Sequence, residues 1–444
     1  MYCNKLVSTF GPAHTSADII PVRSFSQLMS NNLFMYIACD IFVSLIILGI
    51  PLNFYKNRFY DNSWTVGEWL ISYAGGFVRR GLPGEIIHFI SSKYLISPIL
   101  LVWLASFIAI LGLTAILFHF CKDLFAKSFL LSQLIILAPI SEDYFVRKDI
   151  FLVLLYGLAL LAMKRLYQKK LSKLSAILSV NFFSMIAMFS HESYGIWALP
   201  SLMLIFYLFE RSNRINFKKS LILAFLSMIP SFISFILCWV YKGNIEQSLS
   251  IHQSWQYLSN ILPTEGSLSE IRPIGAIAAI GYESSRVYTN SLLSQFNLNI
   301  FWHPGMWVLT IFIVMRLFIG KQKDLNQKGK RFIISFQLFA FLPMFLFVDI
   351  GRWIFMWLTS SALLFAFLCQ TFGIRKLLLH SSRLKGANIL SKIIPEFSSL
   401  KNYNRMLLFL GLPHCCWSVG RYLVSMPIGF AVKNIIFYFK VIFS

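Results

Sequence analysis

The sequence predicts an all-α fold, a polytopic transmembrane helical bundle of about ten spans with an interfacial helix in its first outer loop. Three observations predict it. The 444 residues are 57% hydrophobic and 13% charged, about half the charge fraction of an ordinary soluble domain. Several apolar runs approach or exceed the roughly 18 residues needed to cross a bilayer. The short polar segments between those runs alternate between densely basic and charge-balanced, as loops on opposite faces of a membrane do.

Taken in order, residues 1–32 are polar and mixed. They lack a small-residue cleavage site, so the first apolar run should stay as an anchor and 1–32 should form a cytoplasmic segment. Spans are predicted at 33–54, 98–120, 128–140, 149–163, 174–190, 193–209, 219–241, 299–320, 332–349 and 353–373. The 128–140 run is short. It can cross, or fold back with the next run as a re-entrant hairpin; either leaves the later topology unchanged. Residues 33–373 are thus the transmembrane domain, with outer loops 55–97 and 242–298. Residues 374–444 form a basic cytoplasmic tail, and 403–444 are apolar enough to lie partly on the membrane or to add a crossing.

Charge sets the orientation. The segments "KRLYQKKLSK" (164–173), "RSNRINFKK" (211–219) and "KQKDLNQKGKR" (321–331) are crowded with cations. The alternating segments "SEDYFVRKD" (141–149), "HES" (191–193) and "DIGR" (349–352) carry acids that balance theirs. The positive-inside rule places the basic set and both termini in the cytoplasm. The net charge of +22 is explained by these anchors and by contact with anionic membrane lipids, so no nucleic acid partner is expected. Seven cysteines show no zinc-like spacing, and none falls in an outer loop, so no structural disulfide is expected. The chain has no internal repeat and no separate soluble domain.

Four outer segments hold residues that anchoring does not require. In "GGFVRRGLPGE" (75–85), Arg79 and Arg80 are framed by glycines and followed by Glu85. A helix from Gly84 to about Leu95 has the spacing of an interfacial helix. Its free N–H groups and the two arginines would favour an anion, either a substrate phosphate or a lipid headgroup. In "SEDYFVRKDIF", Arg147 and Lys148 suit phosphate and Asp149 is a supporting acid; a self-paired turn is the alternative. Charge drawn into the bilayer costs about 2.5–3.5 kcal/mol, so a charge kept there tends to serve a function. In "FSHESYG", His191 beside Glu192 can act as a general base or simply supply a polar turn. In "FVDIGRWIF", Asp349 and Arg352 at i,i+3 can form a capping ion pair, or Arg352 can point into an outer cavity. Upstream, Asp61 and Glu68 are the other acids of the first loop. Trp255, Tyr257, Tyr282, Tyr288 and Trp302 in or beside the 242–298 loop can stack on sugars or form an aromatic belt. Asp40 lies within the first span, toward its cytoplasmic end.

These groups match the parts of a polyprenyl-pyrophosphate-linked sugar: apolar helices for the tail, arginines for the pyrophosphate, an outer loop for the glycan. Transfer from such a donor needs a base for the acceptor hydroxyl and fixed positive charge for the departing pyrophosphate. The arginines can supply that charge. There is no DxD triplet and no HExxH, so no metal and no other cofactor is expected.

An acid-bearing first outer loop that leads into an interfacial helix resembles the GT-C class of membrane glycosyltransferases. "GGFVRRGLPGE", "FVRKD", "SHES" and "DIGRW" on this scaffold look like the multi-span proteins of bacterial surface-polysaccharide clusters, O-antigen and capsule polymerases among them. The resemblance covers about residues 33–373. It implies a multi-pass protein of the bacterial inner membrane. The partners it implies are a polyprenyl-linked donor, a glycan acceptor and other polysaccharide-assembly proteins. It makes Asp61 and Glu68 base candidates and assigns Arg79, Arg80, Arg147 and Arg352 to the lipid pyrophosphate. The chain departs from many such polymerases in its late loop, which has only Arg272 and Arg286. Two rival readings are a transporter or flippase for lipid-linked sugars and a non-catalytic membrane scaffold whose outer charges pair off.

Overall fold

The computed structural model describes residues 63–122, 124, 130, 135–136, 146–258, 268, 270–281, 325–346, 350–372, 436 and 439. All belong to the larger of two compact units, Leu45–Ser444. The described residues are helical and contain no strand. Of the expected elements, segment 1–32, the spans at 33–54 and 299–320 and nearly all of 128–140 and 374–444 lie outside them.

Among the described residues, five helical stretches are long and apolar enough to cross a membrane: Pro98–Cys121, Asp149–Tyr167, Lys173–Ser190, Ser193–Ser212 and Arg352–Phe372. A bent pair, Phe217–Ser227 and Ile229–Val240, makes a sixth if it is one span. In chain order the helices are α1 (Thr65–Trp69), α2 (Gly81–Tyr94), α3 (Pro98–Cys121), α4 (Asp149–Tyr167), α5 (Lys173–Ser190), α6 (Ser193–Trp197), α7 (Leu199–Ser212), α8 (Phe217–Ser227) and α9 (Ile229–Val240). They continue with α10 (Ile245–Gln256), α11 (Gly275–Ile280), α12 (Leu325–Phe341) and α13 (Ile350–Phe372).

The ends of these helices follow from local chemistry. Pro98 sits in the first turn of α3, where a missing N–H costs nothing. Ser172 caps α5 by accepting from Ser175 N at 3.1 Å, and Asn216 caps α8 by accepting from Lys219 N at 2.9 Å. Helix α4 has Asp149 in its first turn and Lys164 and Arg165 in its last, matching the helix dipole. Proline explains the breaks. Pro230 opens α9 and cannot continue the hydrogen-bond ladder of α8, so the expected 219–241 span bends by 57°. Pro343 lies where α12 gives way to a 3₁₀ turn, Leu342–Leu346. The apolar helix there shortens to Ile333–Met344, below the length of a full span.

Helix α4 is the hub, packed on α3, α5 and α13. Its Gly157 lets α3 and α13 close in: an added Cβ would lie 2.5 Å from Ile116 Cγ2 and 3.7 Å from Leu363. Trp103, Tyr156, Trp197, Trp357 and Phe365 fill the middle of the bundle.

Helix α2 begins three residues before the expected start and exposes Ile86, Phe89, Tyr94 and, just beyond its end, Leu95, the apolar face expected of an interfacial helix. Its other face is pinned. An added Cβ at Gly84 would fall 2.0 Å from Ile71 O, so only glycine permits this approach. The described part of the 242–298 segment packs on the first loop. Trp255 Nε1 donates to Leu70 O at 2.8 Å, and Ala276 N donates to Ser63 O at 2.9 Å, which docks α10 and α11 onto the first loop.

Candidate functional site

Five separate stretches meet at one end of the bundle. Glu68 comes from α1. Arg79 and Arg80 close the turn before α2. Lys148 and Asp149 start α4, His191 and Glu192 join α5 to α6, and Arg352 lies at the start of α13.

Arg79 is fixed through its backbone, whose N–H donates to Tyr241 O at 2.9 Å. Arg80 takes a left-handed conformation, φ 67°, and caps α2. Its guanidinium grips Glu192 as a fork, Nε to Oε2 at 2.7 Å and Nη2 to Oε1 at 2.5 Å. Arg79 Nη1 approaches the same carboxylate at 3.2 Å, and Arg80 Nη1 lies 3.9 Å from Glu68 Oε1. Glu68 therefore has no fork of its own and faces His191, whose Nε2 is 3.3 Å away.

The histidine tautomer follows from its contacts. Nδ1 accepts from Ser193 N at 3.2 Å, so in the neutral ring the proton sits on Nε2 and points at Glu68. Burial first, then Arg80, pushes the His191 pKa down to about 4, and the ring is uncharged at neutral pH. Burial opposes ionisation of both carboxylates. For Glu192 the arginines outweigh it and hold the acid well below its ordinary value; for Glu68 the neighbouring His191, Arg352, Lys148 and Arg80 lower it.

Arg352 is held in a buried ion pair, one of the two alternatives the sequence left open. Its Nε and Nη2 donate to Asp149 Oδ2 and Oδ1, both at 2.7 Å, across 203 positions of sequence. Asp149 is thus a partner of Arg352 from another helix; Asp349, the acid expected to pair with it by i,i+3 spacing, lies outside the described residues, as does Asp61. Lys148 is also unlike a phosphate-gripping lysine. It is fully buried, and its Nζ donates to Arg80 O at 3.2 Å and Ser190 O at 3.1 Å. Its ammonium lies 5.9 Å from the centre of the Trp69 ring. Arg147 is buried in the same turn.

Glu85 accepts from Tyr73 N at 2.9 Å, so it ties the loop to α2. The helix begins at Gly81, three residues before the Gly84–Glu85 start expected for an anion site, and Gly84 packs on the backbone of Ile71 and Trp69. Trp255 is neither a sugar platform nor a belt residue: it is buried, bonded to Leu70 O and edge-on to His88. Tyr257 is exposed, and Tyr282, Tyr288 and Trp302 lie outside the described residues. The partners that sequence could not supply are mostly backbone: Ser190 O, Tyr241 O and the N–H of Ser193. Trp69, next to Glu68, was the one with a visible signal.

Side-chain exposure sorts the cations. Arg79 and Arg80 are 20% and 26% exposed, while Arg352 is 8%. An incoming anion would meet the first two.

Such a bundle, with buried ionised groups gathered at one helical end, defines a polytopic α-helical membrane protein. A family model described as "Uncharacterised membrane protein Rv1490" matches residues 33–269, and the chain belongs to that family. Its description names a membrane protein and gives no activity. No curated protein and no solved structure matches the chain.

Proposed function

We propose that the protein is a membrane glycosyltransferase or polysaccharide polymerase that uses a polyprenyl-pyrophosphate-linked sugar at the extracytoplasmic face of a bacterial inner membrane. One observation carries the reading: Glu68, Arg79, Arg80, His191 and Glu192 converge where the apolar helices end. In the reaction, the acceptor hydroxyl loses its proton to Glu68 and its oxygen attacks the anomeric carbon. The bond from that carbon to the pyrophosphate oxygen breaks, and the pyrophosphate leaves with the electron pair toward Arg79 and Arg80. His191, protonated on Nε2, orients the Glu68 carboxylate and is not itself the base. Glu192 holds the arginines in place before the donor arrives. The orientation rests on the charge-balanced loops being outside.

The test is to replace Glu68 by Gln and Arg80 by Ala in the host cell and measure the surface glycan at equal protein abundance. Loss of polymer or of a sugar residue in both variants is expected. Unchanged glycan would overturn the reading.

A second reading, the non-catalytic scaffold, is favoured by the pairing of Arg352 with Asp149 and of Arg80 with Glu192, which neutralises the cluster internally. It predicts that the same variants lower abundance and leave glycan per molecule unchanged.

A further inference from the structure

We infer that Lys148 is a positioning residue, a buried clamp that holds the Arg80 turn against the end of α5 and so sets Arg80 and Glu192 at their spacing. The inference deepens the proposed function without sharing its test.

The geometry is specific. Lys148 Nζ donates to two backbone carbonyls from distant parts of the chain, Arg80 O at 3.2 Å and Ser190 O at 3.1 Å. Each belongs to a residue next to a site group or bearing one. Arg80 is left-handed at φ 67°, a conformation that is strained for a non-glycine residue and persists where its surroundings impose it. A bond to its own carbonyl is such a constraint. Ser190 ends α5, where the unsatisfied carbonyls carry the negative pole of the helix dipole, and an ammonium is favoured there. His191 and Glu192 follow immediately. The clamp thus joins the two segments whose side chains form the Arg80–Glu192 fork.

The charge of the clamp is sensitive to its neighbours. Lys148 faces Glu68 from α1, Arg80 from the turn before α2 and Glu192 beyond α5. Among the described residues, His191, Arg79, Asp149 on its own helix, the adjacent buried Arg147 and Arg352 from α13 also belong to the surrounding cluster. Arg79, Arg80 and Arg352 balance Glu68, Glu192 and Asp149 in formal charge. Burial, partly offset by Glu68, pushes the amine down to about 7. Deprotonation removes the charge–dipole attraction to the α5 end and leaves a weaker donor.

Cys238 reports on this without any assumption about activity. It is buried in α9, its Sγ donates to Met188 O at 3.5 Å in the last turn of α5, and it lies within electrostatic range of Glu192, Arg79 and Arg80. The experiment uses the full chain in phosphatidylcholine nanodiscs, with the other six cysteines replaced by alanine, and follows maleimide labelling of Cys238 from pH 6 to pH 8.5. With Lys148 in place, labelling is slow at pH 6 and rises in a step near pH 7. Lys148→Met labels at least about tenfold faster at pH 6, with no step; Lys148→Arg, which stays charged, labels slowly throughout apart from the smooth increase of thiol ionisation. A step of the same midpoint in Lys148→Met, or equal slow rates in all three proteins, overturns the clamp. If the arginine variant does not fold, the presence or absence of the step in Lys148→Met decides.

Binding of inorganic pyrophosphate by the same proteins, read by titration calorimetry, separates the two proposals. Absence of binding by the parent protein counts against the phosphate reading and leaves the labelling result to stand on its own. Binding that weakens about tenfold in Lys148→Met and returns in Lys148→Arg supports both.

Discussion

The two ends of the helical bundle use charge in opposite ways. At one end Lys148, Asp149, His191, Glu192 and Arg352 are buried, and each acid meets a cation or a histidine. At the other end the joining segments 164–173 and 211–219 contain no acid at all. There Arg165, Lys169, Lys170, Arg214, Lys218 and Lys219 are exposed. Among the described residues Lys164 reaches neutral partners, His119 Nε2 at 3.1 Å and Gln370 Oε1 at 2.9 Å. The one buried acid nearby, Glu210, is matched by Lys173 at 2.5 Å. Solvated cations hold an orientation and tolerate exchange. Desolvated, mutually neutralised ions are costly to bury, and a protein keeps them where it needs fixed charge.

The largest effect expected from breaking this contrast is at Asp149–Arg352. Removing either partner by Ala breaks a buried ion pair and should destabilise by about 3–5 kcal/mol, measured as thermal unfolding in nanodiscs. The double change Asp149→Leu with Arg352→Met should recover most of the loss, and a double variant as unstable as the singles would show that the pair does more than neutralise charge.

Acid should open the same end before the other. Glu192 and Glu68 sit below the ordinary carboxylate value of 4.5, and His191 near 4 against 6.5. In all three cases the unfolded chain binds protons that the folded protein refuses, so the stability they confer is present at higher pH and lost as pH falls. The His191 contribution goes between 6.5 and about 4, and the carboxylate contributions below 4.5. Unfolding midpoints should fall as pH drops from 7.5 to 3, and below pH 4.5 the fall should be shallower in Glu192→Gln. A slope identical to the parent's would remove Glu192 from the account.

At the basic end, Lys173→Ala strands the buried Glu210 carboxylate and should cost about 1–3 kcal/mol by the same measurement. The smallest effects belong to the exposed cations. Lys169→Gln, Lys170→Gln or Arg214→Gln should each change stability by less than about 0.5 kcal/mol. Replacing several together should instead disturb orientation, visible as altered labelling by membrane-impermeant reagents.

The sequence by itself determined a good deal. Composition and apolar run length define a multi-pass helical protein, and the spans at 98–120, 149–163, 174–190 and 193–209 recur in the structure within a few residues, except that 193–209 is interrupted at Ala198. The alternation of loop charge marked which end would hold mixed ions, since loop composition is a local property. The short motifs bearing Arg80, Lys148, His191 and Arg352 were legible as candidates for the same reason. What each does was not. Arg352 meets Asp149, 203 positions away in the chain, because helices α4 and α13 start side by side. Lys148 turned inward to carbonyls that every residue possesses and no sequence pattern marks. Trp255 left the expected surface to dock on Leu70. Periodicity and charge are written residue by residue, whereas pairing and burial depend on which helix ends the packing brings within about 3 Å, and only the folded chain decides that.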